Sequence, residues 1–147
     1  MADINLSDPR HREAFLKSVE PTREAVKPIH RELLEMFKSE MEYREGSGEL
    51  DYFEQLYWSA LLLYLIGDPA DVPLMWQAKH INIDIGCGFD GQFLVGAGVD
   101  TTIDYLDRNG EVEISTYIRK MKEHGEFADL ESWEKFRIGY FYPNRKA

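Results

Sequence analysis

This chain of 147 residues has one cysteine, no long apolar segment and fewer basic than acidic residues. A single cysteine, Cys87, excludes an intrachain disulfide and a cysteine-rich zinc site. The longest apolar run, Ala60 to Ile66, is far shorter than the roughly 20 residues that span a bilayer. Met1 to Arg12 is polar and lacks the apolar core of a signal peptide. These absences predict a cytoplasmic protein.

The charge of the chain is strongly negative. Acidic residues outnumber basic residues by 27 to 17, which gives a formal net charge of −10 and a pI near 4.8. Such a field repels phosphate backbones and anionic lipids, and it attracts basic surfaces. The charge therefore argues against nucleic acid or a membrane as the partner and favours a protein with a basic surface. The alternative interpretation is that the charge only keeps the chain soluble.

The length of the chain predicts a single helical domain, residues 1–147. Asp8-Pro9 is a good helix start, because aspartate caps free backbone amides and proline tolerates the first turn. Glu20-Pro21 predicts a break. Pro28 lies within the next apolar pattern and predicts either a kink or a later helix start. N-terminal helices are therefore expected over residues 8–45.

The middle of the chain predicts a central helix. Gly46-Ser47-Gly48 is expected to be a short linker after the N-terminal helices. From Asp51 to Ile66 apolar residues occupy nearly every side of a helix. Such a helix belongs in the middle of a bundle, because each of its sides must be covered.

Three glycine–aspartate pairs recur at intervals of 29 residues: Gly67 with Asp71, Gly96 with Asp100, and Gly125 with Asp129. Glycine supplies the left-handed residue that ends one helix, and aspartate caps the next, so each segment predicts a corner between helices. Periods in this range are typical of stacked α-hairpins. We therefore predict an all-α protein, a compact bundle of about seven or eight helices. Its α-hairpin repeats would cover about 51–141, with solenoid-like packing.

Residues 84–91 contain a glycine pattern that occurs in cofactor-binding enzymes. Gly86-x-Gly88-x-x-Gly91 has the spacing of a dinucleotide-binding turn. With Asp84 before it, the string resembles the first motif of S-adenosylmethionine-dependent methyltransferases. That resemblance implies an acidic residue on the ribose, a role that would fall to Asp104 or Asp107.

The context of this glycine pattern favours a structural role. A cofactor-binding turn needs a strand before it and a parallel sheet around it, but only residues 81–85 alternate like a strand. The glycines are therefore expected either to let helices pack closely or to break a helix. We predict that the protein is not an enzyme and has no cofactor. A small-molecule-binding enzyme or sensor that uses residues 84–91 is the alternative.

The other chemistry-bearing residues form no catalytic or metal pattern. No two histidines have the i, i+4 spacing of a helical metal pair, so surface positions are expected for His11, His30, His80 and His124. Cys87 is expected to be a small buried residue. No catalytic residue and no metal ligand is predicted. Asp100 is expected to cap a helix, and a solvated acidic face is expected to carry Asp84, Asp90, Asp104 and Asp107.

Several short motifs occur together between Gly67 and Phe141. They are Gly67-Asp68-Pro69, Val72-Pro73-Leu74, Trp76, Asp84, Gly88-Phe89-Asp90, Gln92-Phe93-Leu94, Gly96-Ala97-Gly98-Val99, Thr101-Thr102, Tyr105-Leu106 and Tyr140-Phe141. In these motifs the chain resembles small helical bacterial proteins that are the immunity partners of polymorphic toxins. The resemblance implies a protein that neutralises a cognate toxin by covering its active site or substrate channel.

The same resemblance implies a partner-binding surface. Many such toxins are nucleases or nucleotide-modifying enzymes with basic clefts, and an acidic partner would associate with them quickly. The surface would combine acidic residues with aromatic anchors: Asp84, Asp90, Asp104, Asp107, Trp58 and Trp76. A helical-repeat adaptor with another protein partner is the second alternative.

Overall fold

A computed structural model describes residues 6–46 and 54–144, and all the regular secondary structure in these ranges is helical. Its α-helices are α1 Pro9–Ser18, α2 Arg23–Val26, α3 His30–Gly46, α4 Gln55–Ile66, α5 Val72–Lys79, α6 Ile83–Gly88, α7 Val99–Arg108, α8 Val112–Glu123 and α9 Leu130–Phe141. Three 3₁₀ turns cover Lys27–Ile29, Pro69–Asp71 and Gly91–Val95. Eight of the α-helices in the described ranges are six residues or longer. The prediction of an all-α bundle is confirmed.

The N-terminal helices begin and end where the prolines and caps predict. The Asp8 carboxylate accepts a hydrogen bond of 2.8 Å from the backbone N–H of Arg10, and Pro9 follows as the first residue of α1. The expected break follows α1, and α2 starts after Thr22, whose hydroxyl oxygen accepts from the Ala25 N–H at 3.2 Å. Pro28 lies in the 3₁₀ turn between α2 and α3. Because proline has no N–H, it cannot continue the α-helical hydrogen-bond ladder there.

Helix α4 lies at the centre of the bundle, as its apolar residues predict. Every residue from Gln55 to Leu65 is buried. Around it pack α1, α2, α3, α9 and the turn Gly91–Val95, so its neighbours come from both ends of the chain. The linker residues Ser47 and Gly48, and the first three residues predicted for this helix, lie outside the described residues.

The three glycine–aspartate corners agree only in part with their predicted conformation. Gly67 and Gly125 are left-handed, with φ near +72° and +73°, at the ends of α4 and α8. Gly96 has a right-handed φ of −59°, so its prediction was wrong. A Cβ at Gly96 would overlap the Tyr64 carbonyl, which shows that close packing against α4 requires this glycine.

The aspartates of these corners do not cap helices as predicted. Asp71 and Asp129 occupy N-cap positions without a side-chain cap hydrogen bond, and Asp100 lies inside the first turn of α7. At the first corner Asp68 provides the cap instead, because its carboxylate accepts from the Ala70 N–H at 2.9 Å. The carboxylate of Asp71 binds His30.

Candidate functional site

Helix α9 has one side that the rest of the described chain leaves uncovered. Phe136 is 65% exposed and Tyr140 is 47% exposed, although both are large apolar residues. Their rings lie side by side, with centroids 6.4 Å apart and planes inclined by 25°. Helical spacing places them on one side of α9 with two small residues, which are also exposed. We call this side the α9 outer face; it consists of Ser132, Phe136, Gly139 and Tyr140.

The opposite side of α9 is fixed to the core by aromatic contacts. The Phe141 ring stacks on the ring of Trp58 in α4, with centroids 5.4 Å apart. Trp133 lies edge-on to Phe93 at 5.0 Å and to Tyr64 at 5.1 Å. These contacts hold the helix in an orientation that leaves Phe136 mostly exposed. The Tyr140 ring lies at the border of this side, edge-on to the Phe141 ring with centroids 5.0 Å apart.

Asp90 adds a polar link to the same side of α9. Its Oδ2 accepts a hydrogen bond of 2.9 Å from the indole N–H of Trp133. The same oxygen accepts from Nε and Nη2 of Arg137, at 3.0 and 2.5 Å. Asp90 is predicted from the sequence to lie on the partner-binding surface, whereas in the structure its carboxylate anchors α9. Its negative charge is offset by Arg137.

Polar groups border the aromatic pair. The Tyr140 hydroxyl donates to the Glu54 carboxylate, with oxygen distances of 2.5 and 2.7 Å. This hydrogen bond is the largest cause that raises the pKa of Tyr140 above its usual value of 10.0, and burial of the hydroxyl adds a smaller contribution. Lys135 and Glu131 form an exposed ion pair of 3.3 Å along the helix. An apolar centre with a polar border is the usual anatomy of a protein–protein interface.

The two tryptophans predicted as aromatic anchors lie elsewhere. Trp58 is only 8% exposed, and its indole N–H donates to the Tyr142 hydroxyl at 2.9 Å. It cannot contact a partner while the core is intact, so the prediction that Trp58 is an anchor was wrong. Trp58 lies on α4, whose apolar residues are buried on every side of the helix. Trp76 is half-buried, with its ring 4.3 Å from the His80 ring and 5.1 Å from the Tyr117 ring. Its role in binding stays a prediction.

The predicted acidic face is divided among separate elements. Asp84 is exposed in the first turn of α6, whereas Asp104 and Asp107 are exposed on α7. Asp107 forms an ion pair with Arg119 of α8, and the hydrogen bond from Arg119 lowers the pKa of that carboxyl. Asp100, also on α7, pairs with Lys122 of α8 at 2.8 Å. Basic residues of α8 thus offset two of the three carboxylates on α7.

The glycine pattern begins in the short helix α6 and ends in the 3₁₀ turn Gly91–Val95, so it does not belong to a strand–turn–helix unit. Asn82 caps α6 by accepting from the Ile85 N–H at 2.9 Å, and the helix ends at Gly88. A Cβ at Gly86 would lie 2.8 Å from the Lys79 carbonyl oxygen, and one at Gly88 would lie 2.5 Å from the Tyr57 hydroxyl. Both structural explanations therefore hold, since the glycines permit close packing and the helix breaks there.

Two further residues differ from their predicted positions. Cys87 is exposed on α6 and not buried. His30 is not an isolated surface residue, because its Nε2 lies 2.7 Å from Oδ2 of the buried Asp71. The α9 outer face was not predicted from the sequence, because Phe136 has the spacing of a core residue. Its signal is the i, i+4 pair of Phe136 and Tyr140, which helical spacing places on one side of α9 beside the small residues Ser132 and Gly139.

The fold and this face define a small all-α domain that exposes a pair of aromatic rings near the end of its described chain. None of the protein-family models, curated proteins or solved structures compared with the chain matches it. Among residues 6–46 and 54–144, no helix combines the length and the apolarity that crossing a membrane requires.

Proposed function

We propose that this chain is a protein-binding domain that contacts a basic partner through the α9 outer face. The observation that carries the proposal is the exposure of Phe136 and Tyr140 on a helix whose other side is fixed to the core. Exposed aromatic residues with few rotatable bonds contribute strongly to protein interfaces and lose little conformational entropy on binding. Because α9 is already ordered by its core contacts, the partner would meet a preformed surface.

The charge of the chain supports a basic partner. A net charge of −10 accelerates association with a positively charged surface and disfavours acidic competitors. At the α9 outer face, Glu54 accepts from the Tyr140 hydroxyl and keeps an acidic group beside the aromatic pair. The partner's contact would therefore combine an apolar pocket for the rings with a neighbouring lysine or arginine.

The more specific form of the proposal is an immunity protein that neutralises a bacterial toxin by covering its active or substrate site. Its support is the motif resemblance between Gly67 and Phe141 and the acidic charge, which suits an enzyme with a basic cleft. Tyr140-Phe141, the last of those motifs, lies in α9, and Tyr140 belongs to the outer face. An adaptor would use the same face, but it would leave the activity of its partner intact.

The test is co-expression of the tagged chain with the product of the neighbouring upstream gene, followed by size-exclusion chromatography with light scattering. A stoichiometric complex is expected, together with rescue of any growth defect that the neighbouring product causes. Rescue separates an inhibitor from an adaptor. Wild-type chain that is folded but gives neither a complex nor rescue would contradict the toxin-inhibitor proposal for this pair.

A double variant, Phe136→Ala with Tyr140→Ala, locates the contact. The central aromatic residues of an interface typically contribute about 2 kcal/mol or more, and such contributions are not additive, so we expect the affinity to fall at least about thirtyfold. Ile83→Ala is the matched control, because Ile83 is an exposed apolar residue on α6, away from α9. Equal loss in the control, or unchanged affinity in the folded double variant, would remove the α9 outer face from the proposal.

A further inference from the structure

Two carboxylates meet at the turn that follows α4. Asp68 precedes the 3₁₀ turn Pro69–Asp71, and Asp71 is its last residue. Asp68 caps the turn from an extended backbone, and its carboxylate lies close to that of Asp71. One oxygen of Asp68 accepts from the Ala70 N–H at 2.9 Å, so this side chain is held in place by the turn itself.

An imidazole from a distant part of the chain completes the group. His30 is the first residue of α3, and its Nε2 lies 2.7 Å from Oδ2 of Asp71. The Asp71 side chain is only 6% exposed, while that of His30 is 28% exposed. The group is therefore covered on the Asp71 side and open to solvent beside the imidazole.

The Asp71 carboxylate faces His30 and makes no hydrogen bond to the helix that follows. Asp71 is the residue before α5, but its backbone is right-handed helical, with φ −82° and ψ −13°, and Pro73 in the first turn has no N–H. Its carboxylate therefore makes no cap bond and lies 2.7 Å from Nε2 of His30. A buried carboxylate placed beside a second carboxylate is an arrangement that a cation stabilises.

The distances suit one metal ion. One ligand atom from each of His30, Asp68 and Asp71 can be chosen so that all three lie within 4.8 Å of one another. Zinc bonds to imidazole nitrogen and carboxylate oxygen are about 2.0–2.2 Å long, so ligand atoms around one ion stand roughly 3–4 Å apart. One nitrogen and two carboxylate oxygens suit zinc and neighbouring divalent transition metals better than calcium.

We propose that His30, Asp68 and Asp71 bind one divalent transition-metal ion, with water in the remaining coordination positions. Nε2 of His30 then gives its lone pair to the ion, and the ring proton resides on Nδ1. The ion replaces the hydrogen bond between His30 and Asp71 and ties the start of α3 to the turn after α4. The negative charge of the chain, −10, raises the local concentration of cations.

The test is calorimetric titration of the metal-free full chain with zinc chloride, with cobalt absorption as a second readout of coordination. One ion per chain is expected. Asp68→Asn is the decisive variant, because asparagine keeps an oxygen that can cap Ala70 but removes the anionic ligand. It should melt like the wild type without metal, yet bind zinc at least about tenfold more weakly. His30→Gln should lose the cobalt spectrum of the wild type.

His80→Gln and Asp84→Asn are the matched controls, since both residues are exposed outside the group. They should keep wild-type zinc affinity. Unchanged affinity in Asp68→Asn, or no stoichiometric binding by the wild type, would overturn the proposal and leave only the hydrogen bond between His30 and Asp71. Because none of these residues lies on α9, partner binding through Phe136 and Tyr140 is tested separately.

Discussion

Helices α4 and α9 are both twelve residues long, but they differ in how much of their surface the protein covers. In α4 every residue from Gln55 to Leu65 is buried, whereas in α9 only Phe141 is buried. Both carry apolar residues on more than one side. The comparison shows that such a pattern has two structural outcomes: a helix surrounded by its own chain, or a helix whose second side is left for a partner.

The largest expected effect on stability comes from a substitution in the buried helix α4. Leu62 of α4 is fully buried, so Leu62→Ala leaves a cavity and should reduce the free energy of unfolding by about 2–5 kcal/mol. Phe136→Ala in α9 should change it by only about 0.5 kcal/mol, because the ring is mostly in water. Urea unfolding measures both. A large loss in Phe136→Ala would show that α9 depends on this ring for its packing.

Two glycine substitutions compare the close packing around α4 with the open space around the α9 outer face. Gly96 has a φ that alanine accepts, but a Cβ there would overlap the Tyr64 carbonyl of α4. Gly96→Ala should therefore destabilise the fold by about 1–3 kcal/mol or more. Gly139, on the α9 outer face, has open space around it, so Gly139→Ala should raise helix stability by roughly 0.5–1 kcal/mol. Thermal unfolding of both variants checks the opposite signs.

Two tyrosine hydroxyls near the end of the chain provide a smaller contrast. The Tyr142 hydroxyl accepts from the Trp58 indole at 2.9 Å and donates to the Leu16 carbonyl at 2.7 Å. Tyr142→Phe leaves both groups without this partner and should reduce stability by about 1–3 kcal/mol. Tyr140→Phe removes only the exposed hydrogen bond to Glu54 and should have little effect. Similar losses in the two variants would contradict the division between the covered and uncovered sides of α9.

The sequence predicted the helices better than it predicted the surfaces. Helix starts at Asp8-Pro9 and the central position of α4 follow from local capping and from apolar periodicity, which are properties of short segments. The exposure of Phe136 depends instead on whether another part of the chain packs over it. The local pattern shows that Phe136 and Tyr140 share a side of the helix, but it does not show whether another part of the chain covers that side.

The predicted binding residues illustrate the same limit. Aspartate is a residue type that is usually exposed, but two side chains of α9, Trp133 and Arg137, bind the carboxylate of Asp90. Their sequence separations from Asp90 are 43 and 47 residues. Pairing over such distances is decided by the packing of whole helices. His30 and Asp71, separated by 41 residues, were missed for the same reason.

The smallest expected effect on stability concerns the exposed Asp8 carboxylate at the start of α1. This surface charge stabilises the fold, whereas the α9 outer face is proposed to bind a partner. The side chain of Arg10 donates to the Asp8 carboxylate, with Nη2 3.0 Å from Oδ2, and the Arg10 backbone N–H adds a second hydrogen bond. These bonds lower the pKa of Asp8 from 3.8 to about 2. Because the folded pKa lies below the unfolded one, ionised Asp8 stabilises the fold above about pH 4, and this contribution is lost as the pH falls towards 2.

A carboxyl NMR titration of the folded chain measures this pKa directly. Asp8 should titrate near pH 2, and Arg10→Ala should move its pKa towards 3.8, because the largest cause of the shift is the side-chain hydrogen bond from Arg10. The cap to the backbone N–H persists in that variant, so part of the shift should remain. A wild-type value near 3.8 would contradict this account. An altered value in Phe136→Ala would show that the start of α1 and the α9 outer face are not independent.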